Sequence, residues 1–103
     1  MNALISEKLA ELSSLCVQRK VRRLALFGSA AIGGFSQDPG DLDFIVEFEP
    51  MKPVVYAENY FKLLEDLERL FGRKIDLVEY GPITNPYFKK EIDETQIVVY
   101  EAA

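Results

Sequence analysis

Histidine and tryptophan are both missing from this 103-residue chain, and cysteine occurs once, as Cys16. Without histidine there is no Cys–His nucleophile pair, and the commonest general base is gone. Acid–base chemistry then falls to carboxylates, lysine, tyrosine or water. One cysteine makes no internal disulfide. Zinc is not expected, because its usual sites are built from Cys and His. No apolar run approaches the roughly 20 residues of a membrane span. The first twenty residues, "MNALISEKLAELSSLCVQRK", carry acids and lack the basic start and cleavage site of a signal peptide. The expected compartment is the cytoplasm, with no membrane contact.

Positive charge is also in deficit. Twelve Lys and Arg stand against seventeen Asp and Glu, for a net charge of −5. Such a balance does not steer a chain to a nucleic-acid backbone, so no direct nucleic-acid partner is expected. The one local exception is "QRKVRR", residues 18–23. Its simplest reading is a solvated helix end, where cations meet the negative end of the helix dipole. An anion or partner contact is the sharper alternative.

What is present is ordinary for a folded protein: 49% apolar and 28% charged residues. The length suits one domain, 1–103. Leu4, Ile5, Leu9, Leu12, Leu15 and Cys16 recur at helical spacing and predict a helix over 3–19. "VRRLALF" reads as a strand ending at Gly28. Residues 29–40, with Gly33, Gly34, Pro39 and Gly40, read as a loop with one helical turn after Ser29. "DLDFIVEF" alternates, with Leu42, Phe44, Val46 and Phe48 on one face and Asp41, Asp43, Ile45 and Glu47 on the other. A helix over 53–71 is predicted, with Pro53 in its first turn and Gly72 as its cap. Its expected core stripe is Ala57, Phe61, Leu64, Leu67 and Phe71, and Tyr56 and Tyr60 are also read as core. Strands over 74–80 and 96–100 and a short helix near 87–94 complete the chain. This order predicts an α/β (α+β) fold: a small mixed sheet of about four strands with helices packed on it. Strand order is not legible from the pattern.

The chemistry gathers in "FGSAAIGGFSQDPGDLDFIV", residues 27–46. Asp41 and Asp43 are two apart on a strand, so both point to one face about 6.5–7 Å apart. Two carboxylates so placed repel each other unless a cation satisfies them. Mg²⁺ fits, since it takes oxygen ligands and keeps substrate phosphates in its shell. Upstream, Gly28 permits close approach, and Ser29 can cap a turn whose free N–H groups face an anion. A third carboxylate, Asp76, interrupts "KIDLVEY" between Ile75 and Leu77. On a neighbouring strand it would join the cation site or take the proton of an attacking hydroxyl. Two metals about 3.5–4 Å apart would then align an in-line displacement. Each feature alone is commonplace; their order along the chain gives them weight.

That order resembles the signature of the minimal nucleotidyltransferases, within the DNA polymerase β-like superfamily. The likeness rests on Gly28–Ser29, a spacer, Asp41-x-Asp43 and a later acidic strand residue. "KIDLVE" and "NPYFKKEIDETQIVVYE" extend it over nearly the whole chain. The resemblance implies a nucleotidyltransferase fold. It implies that Gly28 and Ser29 bind the nucleotide, and that Asp41, Asp43 and Asp76 are catalytic and hold Mg²⁺. It implies ATP as substrate, with AMP passed to a hydroxyl and pyrophosphate released. It further implies an antitoxin that adds AMP to a tyrosine of an all-helical HEPN toxin, its partner. Two positions depart from the family pattern. Ile32 stands where many relatives have arginine, and the spacer from Ser29 to Asp41 holds eleven residues.

Two other functions compete with that one. Transfer to a small molecule usually needs a second domain for the acceptor, which this length scarcely allows. A weakly active module that neutralises its partner by occlusion fits the loss of a cation at Ile32. Tyr80, Tyr87 and Phe88 flank "GPITNP" and have two readings: core, or border of an adenine or partner. The apolar faces of the first helix and the tail strand have two as well: core, or contact with a partner or a second copy in a homo-oligomer.

Overall fold

The computed structural model describes residues 3–27 and 42–103. The elements are α1 (Ala3–Ser6), α2 (Leu9–Gln18), β1 (Val21–Phe27), β2 (Leu42–Phe48), α3 (Pro53–Phe71), β3 (Ile75–Glu79), α4 (Pro86–Thr95) and β4 (Ile97–Glu101). The strands form one mixed sheet in the order β3-β2-β1-β4. β1 pairs antiparallel with both β2 and β4, whereas β2 and β3 run parallel. A parallel pair needs a long crossover, and α3 supplies it.

The alternation of β2 decides which side of the sheet is packed. Leu42, Phe44, Val46 and Phe48 face α2 and α3, together with Leu24, Leu26, Ile75, Leu77 and Val99. Ile5, Leu12, Cys16, Leu63, Leu67 and Phe71 fill the space above them. The Phe44 and Phe71 rings stack at 5.8 Å. The opposite face carries a smaller cluster of Ala25, Ile45 and Ile92, flanked by Phe27, Val78, Tyr80 and Ile83. Ile92 belongs to α4, so α4 covers this second face.

Three expectations need correction. The first helix is two pieces, because the Lys8 N–H bonds back to the Ile5 carbonyl and breaks the regular ladder. The α3 core stripe is rotated from the expected one. Leu63, Leu67 and Phe71 are buried, Tyr56, Tyr60 and Leu64 are partly buried, and Ala57 and Phe61 face out. Phe61, read as core, is 61% exposed. Finally, "QRKVRR" is not one solvated helix end. The helix stops at Gln18, and Arg19 crosses to α3, where its Nε lies 2.8 Å from the buried Asp66 carboxylate. Lys20 takes a left-handed φ of 59° to turn the chain into β1, where Arg23 faces Glu101.

Candidate active site

β2 and β3 start at the same end of the sheet because α3 carries the chain back before β3 begins. Their register pairs Leu42 with Ile75, Asp43 with Asp76, and Phe44 with Leu77. Register mates on parallel strands point to the same face, and adjacent strands lie about 4.8 Å apart. The two carboxylates thus stand side by side on the face opposite the main core. Ile75 and Leu77 anchor β3 in the core on one side, which leaves Asp76 exposed on the other. Asp43 is half-buried.

β1 brings the third strand to the same place. Phe27, its last residue, is the register partner of Asp43. Gly28 follows Phe27 directly and Asp41 precedes Leu42 directly. Phe27 and Leu42, the described residues on either side of this stretch, thus lie at the strand ends that hold Asp43 and Asp76. Gly28, Ser29, Ile32 and Asp41 themselves lie outside the described residues. Among the described residues no three His, Cys, Asp or Glu side chains gather into a metal-binding group. The two that do meet offer only hard carboxylate oxygens. That donor chemistry suits a hard, oxygen-liganded cation such as Mg²⁺.

The carboxylates reach through the sheet electrostatically. Tyr60 of α3 donates its hydroxyl to the Leu77 carbonyl. Burial raises its pKa, and the negative charges of Glu79 and Asp76 raise it further. Tyr56 donates to Glu79 at 2.6 Å and is raised by burial and then by that carboxylate. Both phenols are thus held neutral behind the site and act as props for β3. Clefts of about 510 and 570 Å³ open on the helical side of the molecule. Neither is lined by Asp43 or Asp76.

The edge of the site holds a feature whose role the sequence left open. Phe88, in the first turn of α4, meets the Phe27 ring edge-on at 6.2 Å. α4 thus begins beside the strand end that carries the carboxylates. Its Tyr87 is 84% exposed. Tyr80 lies at the far end of the same face, where its N–H bonds to the Val46 carbonyl and its hydroxyl to Asp93.

Known proteins share both sequence and fold with this chain. Residues 5–99 match the family described as "Nucleotidyltransferase domain". The chain is 42% identical over 80 residues to "Putative protein adenylyltransferase MJ1379" of Methanocaldococcus jannaschii, covering 78% of each chain. A solved structure described as a minimal nucleotidyltransferase superposes with a TM-score of 0.73 at 27% identity, over 89% of both chains. A complex described as a tri-AMPylated Shewanella oneidensis HEPN toxin with its MNT antitoxin shares the fold. Its TM-score is 0.62 at 14% identity, over 95% of this chain and 73% of that one. With a family match over residues 5–99, this chain belongs to the nucleotidyltransferase domain family and is a nucleotidyltransferase.

Proposed function

We propose that this protein transfers AMP from ATP to a tyrosine hydroxyl of a HEPN-type toxin and thereby acts as its antitoxin. The observation that carries the reading is the register pairing of Asp43 with Asp76, beside the strand that runs into Gly28–Ser29. The name of the archaeal relative and the AMP-bearing toxin in the structural neighbour support the choice of AMP, acceptor and partner.

In this reading Gly28 and Ser29 bind the polyphosphate through backbone N–H groups and the hydroxyl. Asp41, Asp43 and Asp76 hold Mg²⁺, which supplies charge neutralisation on the phosphates. The acceptor phenol attacks the α-phosphorus. A new P–O bond forms, the bond to the β-phosphate oxygen breaks, and pyrophosphate leaves with the electron pair. Asp76, exposed at the rim, accepts the phenol's proton. Asp43, half-buried between β1 and β3, keeps a fixed position.

The test is mass spectrometry of the partner after incubation with this protein, ATP and Mg²⁺. The expected product is the partner heavier by one or more AMP groups, with the modification on tyrosine. Asp43→Asn and Asp76→Asn should each lower the rate at least about a hundredfold, as expected when a group acting in the transition state is removed. A partner that is neutralised with no gain in mass, equally well by both variants, would instead establish occlusion.

A further inference from the structure

We propose that the outward face of α3, from Val54 to Lys62, is a docking surface for the same face of a second copy of this chain, the two helices running antiparallel.

The face is apolar where a lone molecule has no use for it. Val54 is 71% exposed and Phe61 61% exposed. Ala57, one turn from each, is small enough to leave a hollow between them, and a cleft of about 570 Å³ opens there. The Phe61 ring is steadied from behind, edge-on against Tyr60 at 5.2 Å. Tyr60 is itself tied to β3, so the ring is presented outward on a fixed base.

The charges on this face select the occupant. Glu58 and Lys62 flank the cleft one helical turn apart. Neither makes an ion pair with any described residue. At about 100° per residue both lie on one side of the outward face, while Ala57 and Phe61 lie on the other. A two-fold axis preserves those sides when it crosses between antiparallel helices. With the axis level with residues 59–60, Glu58 of each copy stands opposite Lys62 of the other. Ala57 of each copy then stands opposite Phe61 of the other, so each ring enters a hollow. One axis position satisfies both pairings, and each occurs twice. A parallel arrangement would set like charge level with like charge and ring against ring. The face is therefore complementary to itself, as a contact between two copies requires.

The contact leaves the acids free, because Asp43 and Asp76 lie on the other side of the sheet from α3. It is also small. The cleft has six lining residues, against roughly 20–30 a side in a standard interface, so the Kd is on the order of 0.1 mM. At about 5 µM, the dilution of an unfolding measurement, the copies are apart and Phe61 behaves as an exposed residue.

The experiment is sedimentation equilibrium of the whole chain at low salt, from about 10 µM to 1 mM, where surface charge pairs are least screened. The average mass should climb from that of a monomer towards that of a dimer. Phe61→Ala should weaken association at least roughly tenfold, since each substitution counts twice across the axis. Glu58→Lys and Lys62→Glu should each weaken it several-fold, and the two together should restore it, because the swapped charges again face their opposites. All three positions are exposed, and circular dichroism should show each variant folded. The proposal is overturned if the wild type stays monomeric at about 1 mM, which would leave this face to a different protein. It is overturned if the wild type associates and Phe61→Ala associates equally well, which would place the contact elsewhere. It is also overturned if the charge variants weaken association but the double variant does not recover, since the two side chains would then not meet across an antiparallel pair.

Discussion

Cys16 is fully buried, and burial alone pushes its thiol from 9.0 up to about 12. Between those pH values the unfolded chain has released the proton while the folded chain keeps it. The native state then binds more protons, so stability falls as pH rises through this window. Tyr56 and Tyr60 are raised for the same primary reason and add to the fall above pH 10. Urea unfolding followed from pH 8 to 11 should show a midpoint that drops with pH. Cys16→Ala should be less stable throughout, from the cavity it leaves, but with a shallower drop. Equal slopes for the two proteins would mean that the thiol is not protected. This residue also shows what composition can tell. A lone cysteine excluded an internal disulfide at once, but its inertness comes from the core around it.

At the scale of elements, α3 is the clearest case. Its limits were readable because the signals are local: Pro53 starts it, and Gly72 ends it with φ 65°. Its buried face was not readable. Two apolar stripes overlap on this helix, one through Ala57, Phe61 and Leu64 and another through Tyr56, Tyr60, Leu63 and Leu67. Periodicity detects both and cannot rank them. The tyrosines settle the rotation by reaching Glu79 and Leu77 on β3, which turns Phe61 outward. Leu67→Ala should therefore cost about 2–5 kcal/mol, the usual price of a buried leucine. Phe61→Ala should stay within about 0.5 kcal/mol, as for an exposed site. Denaturant unfolding of both variants checks this, and a large loss at Phe61 would place it in a packed interface.

For the molecule as a whole, the parallel pairing of β2 with β3 sets two carboxylates side by side. Like charges directly opposite across strands destabilise a sheet. Asp76→Asn should therefore raise the stability of the metal-free protein by a few tenths of a kcal/mol while abolishing transfer, a common trade at functional sites. A thermal melt in chelator reads the first effect and the transfer assay the second. If Asp76→Asn lowers stability, Asp76 has a structural partner in the sheet.

The candidate acids were visible in the sequence because each breaks a local rule. Asp43 is charged in a strand that alternates, and Asp76 is flanked by two residues bound for the core. Their meeting was not visible, since nothing local links residue 43 to residue 76. By itself the sequence determined the elements, the two faces of β2 and the chemistry available to a chain without histidine. These follow from side-chain period, caps and composition, all of which act within one segment. Only the tertiary structure decided the strand order β3-β2-β1-β4, the rotation of α3 and the docking of α4 through Phe88 on Phe27. Those depend on which apolar faces bury one another and which backbone groups pair across the sheet. Such choices are made between segments, where no single stretch of sequence carries the information.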